Sequence, residues 1–254
     1  MYMAARRQLL LLCGGAILWV SGIRALPEFL SRLNGFEFIP LERVPGFRTI
    51  SSASGSTSSG SGGFDFMTGL NRGDRLPPGL MAQVKASPAE ALFDAPIKGD
   101  ATQVAYVFDY YCPYCRILSG HLDDLAATSR IVVTRHHWPI FGDASVLAAR
   151  ATLAAAMQGK ADILYRRFLR TSVRVTPRYL KQVADDLDLS WPDLARDMQS
   201  APVTASLDRT RALVRLFAFV GTPALVVGRT VVQGEISKAR LRDLLEYEQA
   251  GPTS

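Results

Sequence analysis

Two cysteines separated by two residues, Cys112 and Cys115, have the type and spacing that thiol–disulfide exchange needs. They lie in the stretch Tyr110-Tyr111-Cys112-Pro113-Tyr114-Cys115-Arg116. An apolar run from Gln103 to Phe108 precedes it, and apolar residues at helical spacing follow from Ile117 to Ala126. A buried strand therefore ends just before the pair, and a helix begins with it. Pro113 fits the first helical position, where its missing N–H has no intrahelical partner to lose. Cys112 then stands at the helix N-terminus, where unpaired backbone N–H groups and the positive end of the macrodipole favour a thiolate. A free thiol titrates at about 8.5 and this setting lowers that value, which makes Cys112 the candidate nucleophile. Cys115, one turn on, is placed to resolve a mixed disulfide. Pro113 and Tyr114 sit between the sulfurs and modulate them.

The elements that must hold this pair follow from the apolar pattern. Ile131 to His136 reads as a second strand, parallel to the first, with the helix after Cys112 as the crossover. Helices are expected over about 143–158, 161–172, 177–188, 192–199 and 203–219. Thr176 before Pro177 and Ser190 before Trp191-Pro192 have the composition of helix starts. Gly221-Thr222-Pro223 then leads into an apolar strand, Ala224 to Val227. Gly228-Arg229 turns into Thr230 to Gln233, and a closing helix covers about Ser237 to Tyr247. The folded domain is expected to begin between 81 and 90 and to occupy 81–254.

Before it, residues 1–26 carry Arg6-Arg7 and an apolar run from Leu9 to Ile23, the layout of an export signal. A cleaved signal peptide and an uncleaved membrane anchor both fit, as do Sec and twin-arginine export. The positive flank places everything after it outside the cytoplasm. Residues 27–80 read as irregular. Their Ser/Gly-rich stretch, 51–63, cannot bury surface and is expected to act as a flexible tether.

Composition excludes several classes. The net charge of +6 is modest, and the basic run from Lys160 to Lys181 lacks the interleaved aromatics of a nucleic-acid surface. Three cysteines, Cys13 among them in the leader, are too few for a disulfide-stapled scaffold. A zinc site at Cys112 and Cys115 would need two more ligands. The nearby candidates, His136 and His137, are adjacent on a strand and point to opposite faces, one toward the interior and one outward. No metal is expected.

Strand, Cys-Pro-Tyr-Cys, helix, strand, helical block, Thr-Pro, hairpin and helix resembles the thioredoxin-like α/β fold with an all-helical lobe inserted at about 142–219. Over about 92–250 the chain resembles the DsbA family of secreted thiol oxidoreductases. The residues that carry the likeness are Phe108-Asp109-Tyr110-Tyr111-Cys112-Pro113-Tyr114-Cys115, Trp138-Pro139-Ile140-Phe141-Gly142 and Gly221-Thr222-Pro223-Ala224-Leu225-Val226-Val227. The resemblance implies a cis bond between Thr222 and Pro223, with this pair facing the cysteines and binding the substrate chain. It further implies a periplasmic monomer that introduces disulfides into reduced or misfolded secreted polypeptides, needs no cofactor, and is reoxidised by a DsbB-like membrane redox partner.

Two departures qualify the likeness. Tyr114 stands where the family's best-known oxidases carry His, and Tyr106 stands six residues before Cys112, where many relatives bury an acid. Asp109, three residues before Cys112, is read instead as ending the strand or capping the turn, and how Cys115 loses its proton is left open. A reductase or isomerase kept reduced by a membrane electron donor is the alternative, since Thr also precedes the cis-proline in the isomerase branch. A non-catalytic polypeptide-binding module is a third reading, against which the intact cysteine pair argues.

Overall fold

Seven consecutive residues, Thr102–Phe108 (β3), form an almost wholly buried strand. Such a strand needs cover on both faces. In the computed structural model, which describes residues 35–51, 75–93, 101–128 and 131–250, β3 lies within a mixed sheet. Its companions are β1 (Phe38–Pro40), β2 (Arg48–Ile50), β4 (Ile131–His137), β5 (Ala224–Val227) and β6 (Thr230–Gln233). The order is β1-β2-β6-β5-β3-β4. β4 runs parallel to β3 with Val104 opposite Val133. β5 runs antiparallel to β3 with Ala105 opposite Val226, and β6 antiparallel to β5.

Alternate residues of β3 feed two cores. Val104, Tyr106 and Phe108 enter one with Cys115, Leu118 and Leu122 of α3 (Pro113–Thr128) and with Leu241 and Leu244 of α9 (Lys238–Ala250). Ala105 and Val107 enter the other with Val84 of α1 (Leu80–Ala86), Leu92 of α2 (Pro88–Leu92) and Leu213 and Phe217 of α8 (Ala201–Phe217). The inserted lobe begins with α4 (Asp143–Ala155), continued by a 3₁₀ turn at Ala156–Gln158. It goes on through α5 (Ala161–Arg170), α6 (Pro177–Asp186) and α7 (Trp191–Asp197). Its last helix, α8, returns to cover the sheet face opposite α3. The Thr176 hydroxyl accepts from the Tyr179 N–H and the Ser190 hydroxyl from the Asp193 N–H, so both expected caps form.

Two expectations change. Residues 38–40 and 48–50, read from the sequence as irregular, are strands: β2 lies parallel to β6, with Arg48 opposite Thr230, and β1 pairs with β2. Three-residue strands show no alternation to read. Both 35–51 and 75–93 pack on the domain, through Ile50 in one core and Val84 and Leu92 in the other. The Ser/Gly-rich residues from 52 on lie outside the described residues, but the chain on either side belongs to one folded body. His136 and His137 are both buried, at 5% and 6% exposure, where one was expected outward. They do face opposite ways, but helices cover both sides. The His136 Nε2 meets the Leu92 carbonyl at 2.8 Å, while His137 packs against Phe108 and Tyr110. The expected leader, 1–26, falls outside the described residues. No helix among those described is long and apolar enough to cross a membrane.

Candidate active site

β3 ends at Phe108, and α3 starts at Pro113 with the Cys112 carbonyl accepting from the Arg116 N–H at 3.2 Å. Cys112 is thus the N-cap, and its Sγ accepts from the Cys115 N–H at 3.3 Å. A sulfur here does the work a serine or aspartate oxygen does at other helix starts. Cys112 and Cys115 are both free and buried, at 2% and 0% exposure. The bond shared with the Cys115 thiol, followed by the Thr222 hydroxyl and the Cys115 and Tyr114 N–H groups, lowers the Cys112 thiol to about 6 against the opposing effect of burial. Burial, reinforced by the bond to Cys112, pushes the Cys115 thiol far up. One sulfur is ionised near neutral pH and its neighbour holds its proton.

The second wall is the segment before β5. Thr222–Pro223 is cis, and the Thr222 carbonyl accepts from the Cys112 Sγ at 3.3 Å. The Thr222 Oγ1 is buried without a hydrogen-bond partner in the described structure. It faces a thiol already committed to the Thr222 carbonyl, and becomes a donor to Cys112 once that sulfur is anionic. The Gly234 N–H donates to the Pro223 carbonyl at 2.9 Å and ties this wall to the β6 end. Cys112, Cys115, Thr222 and Pro223 thus come together. Pro113 and Tyr114 lie on the outer side, with Tyr114 half exposed.

A model of the DSBA-like thioredoxin domain matches residues 103–246. The chain belongs to that family. DSBA-like domains are thiol–disulfide oxidoreductases, and solved relatives agree with the fold. A thioredoxin-like oxidoreductase from Silicibacter pomeroyi DSS-3 is 30% identical, with 65% of this chain and 99% of that one covered at a TM-score of 0.60. The thiol-disulfide exchange protein alpha-DsbA2 from Wolbachia pipientis shares 18% identity over 66% and 95% of the two chains, TM-score 0.58. A periplasmic thioredoxin-like protein from Salmonella enterica serovar Typhimurium shares 21% over 70% and 100%, TM-score 0.56. Comparison with curated proteins gives no match.

Of three further residues of this DSBA-like site, Asp109 was expected to end the strand or cap the turn, and Tyr111 and Arg116 were assigned no role from the sequence. Asp109, 2% exposed, accepts from the Tyr111 N–H at 2.8 Å, the Ile140 N–H at 2.7 Å, the Phe141 N–H at 3.2 Å and the Ser145 hydroxyl at 2.9 Å. It clasps the cysteine turn to the loop after β4 and to the first turn of α4. Arg116 donates through Nε to the Tyr110 carbonyl at 3.0 Å and through Nη1 to the Thr171 carbonyl at 2.8 Å. The Tyr111 hydroxyl accepts from the Val175 N–H at 2.6 Å. These last two bonds fix the lobe's 171–175 loop beside the active turn. An acid at a strand end and an arginine four residues after the nucleophile are the only local signals, and neither names its distant partners.

Proposed function

We propose that this chain is an extracytoplasmic oxidase that introduces disulfides into secreted polypeptides. The carrying observation is the split between a Cys112 thiol held at about 6 and a Cys115 thiol held far above it. Stabilising the reduced enzyme's thiolate makes its disulfide a stronger oxidant. A substrate thiolate attacks Cys112 Sγ and the Cys112–Cys115 bond breaks, its electron pair passing to Cys115. A second thiolate of the substrate attacks the substrate sulfur of the mixed disulfide, closing the product disulfide and releasing Cys112 as the thiolate. A membrane redox partner of the DsbB kind would take the two electrons back from the dithiol. Export is supported by the apolar leader and by the periplasmic description of the Salmonella relative.

The surroundings suit an unfolded chain as substrate. Tyr114 and Ile117 on α3, Phe141 beside the Asp109 clasp, Val173 in the lobe loop and Val220 before the cis-proline are all exposed apolar side chains. Such exposed apolar side chains, on the segments that lead into and flank the cysteine turn and the cis-proline wall, suit an extended polypeptide laid against the backbone beside Cys112. The deciding experiment is the equilibrium potential of the Cys112–Cys115 pair against glutathione. The oxidase reading expects a value nearer the about −120 mV of strong oxidants than the about −270 mV of thioredoxin. The thioredoxin value would transfer the protein to the reductase and isomerase class. Cys115→Ala should trap substrate chains on Cys112, and Cys112→Ala should abolish turnover.

A further inference from the structure

Cys115 is fully buried, yet attack on Cys112 leaves the negative charge on its sulfur. A line of hydroxyls runs from it toward the surface. The Tyr106 hydroxyl donates to the Cys115 carbonyl at 2.8 Å, and the neighbouring Cys115 thiol, after burial, helps hold that phenol well above its usual range. The same hydroxyl meets Ser119 Oγ at 3.2 Å, and the Tyr165 hydroxyl donates to that same Ser119 Oγ at 2.9 Å. Tyr106's hydrogen is used on the Cys115 carbonyl and Ser119 already accepts from Tyr165, so Ser119 donates to Tyr106. All three O–H groups then point one way, toward Cys115. At the far end the Arg135 guanidinium lies 4.3 Å from the Tyr165 ring centre. It is one-quarter exposed and pairs with Asp123 and Asp162.

We propose that Tyr106, Ser119 and Tyr165 are a proton chain that serves Cys115, protonating its sulfur as it leaves and withdrawing that proton when Cys115 attacks. As the disulfide breaks, Tyr106 turns from the carbonyl to the sulfur and gives up its proton. Ser119 replaces it, Tyr165 replaces that of Ser119, and water at the Arg135 edge replaces that of Tyr165. The net change is one proton from solvent to Cys115. When Cys115 attacks a mixed disulfide, the same protons move in reverse. The groups that bear on this sulfur are the Cys112 thiol at the start of its own helix, the Asp109 backbone in the turn before it, the Thr222 hydroxyl and Tyr106 from β3. Tyr165 from α5 and Arg135 from β4 stand behind Tyr106. The proposal rests on the dithiol chemistry above but not on its direction.

The test uses Tyr106→Phe and Ser119→Ala in the full chain. Two quantities are read against pH: the stopped-flow rate at which glutathione opens the oxidised enzyme, and the iodoacetamide alkylation of Cys115 in a Cys112→Ser background. Losing one hydrogen bond to a forming anion should slow opening by about tenfold in Tyr106→Phe. The Cys115 alkylation profile in that background should move to higher pH, while the Cys112 profile, read in protein that keeps Cys112, stays in place. Ser119→Ala, which leaves Tyr106 seated, should move both readings the same way by a smaller factor. A Cys115 profile unchanged in Tyr106→Phe overturns the proposal even where exchange is slower, because that result describes packing alone. Should Tyr106→Phe fail to fold, an unchanged profile in Ser119→Ala overturns it equally. A thioredoxin-like potential would overturn the oxidase reading and leave these profiles as they stand.

Discussion

The Cys115 N–H donates to Cys112 Sγ at 3.3 Å, so the reactive sulfur caps the helix that carries its own partner. The same two residues share a side-chain bond that is the largest influence lowering the Cys112 thiol. Cys112 therefore depends on Cys115 for its acidity as well as for its disulfide.

Cys115→Ala should move the inflection of Cys112 alkylation upward from about 6, toward the about 8.5 of a free thiol. Cys115→Ser, which keeps a hydroxyl donor, should move it less. Profiles that stay at about 6 in both variants would mean that the Cys115 thiol has no part in the acidity of Cys112. The stability of the reduced protein follows the same group. Its folded value lies below its unfolded one, so the stabilisation is complete above about 8.5 and is lost as pH falls through about 6. Urea melts of the reduced form should weaken over that window, and those of the oxidised form should not.

Asp109 gives a second prediction. Its carboxylate holds three backbone N–H groups and a hydroxyl in a buried place. Asp109→Ala leaves those donors without an acceptor and should cost about 3 kcal/mol in urea denaturation. Asp109→Asn keeps the shape but brings an NH₂ group against N–H donors, and should recover less than half of that loss. If Asn were as stable as Asp, the charge would have no part in the clasp.

Asp109 also marks where reading the sequence stops. The cysteine pair, the strand before it and the Thr176 cap are local patterns, complete within a few residues, and each was legible, whereas the cis bond at Thr222–Pro223 was expected only from the family resemblance. Asp109 stood in plain view, but its partners Ile140, Phe141 and Ser145 lie more than thirty residues on, and only the fold brings them to it. β2 fails for the same reason: its partner strand is β6, 182 residues away at Arg48 and Thr230. His136 and His137 were correctly placed on opposite faces, but the helix covering the second face cannot be seen in the strand's own residues.

His137 supplies a third prediction. Burial first, then the charges of His136 and Arg135, lower its imidazole to about 3. It is therefore neutral in the fold and charged in the unfolded chain between about 3 and the usual 6.5. The stability that it contributes is complete above about 6.5 and is lost as pH falls toward 3, by up to about 1.4 kcal/mol per pH unit. His137→Phe should flatten this acid limb of the stability curve, in oxidised and reduced protein alike. An unchanged limb would mean that other groups carry the acid sensitivity.

The N-terminal strands give the fourth. Arg48 on β2 pairs with Glu248 on α9 at 2.6 Å, the two side chains being 14% and 8% exposed. The Arg48 guanidinium also lies 3.7 Å from the Phe38 ring centre and 5.0 Å from that of Tyr247, and its Nε donates to the Thr230 hydroxyl at 2.8 Å. One side chain thus fastens β1, β2, β6 and α9, which is why the sheet includes strands that precede the cysteine-bearing β3. Removing Arg48 leaves a buried carboxylate, so Arg48→Ala should cost about 3–5 kcal/mol. Replacing Arg48 and Glu248 together with Met and Leu should cost less than Arg48→Ala alone, since no unpaired charge then remains. Chemical denaturation of the two variants separates these outcomes. If the double variant were the less stable one, the stacking on Phe38 and Tyr247, and not the ion pair, would be what holds the N-terminal strands to the domain.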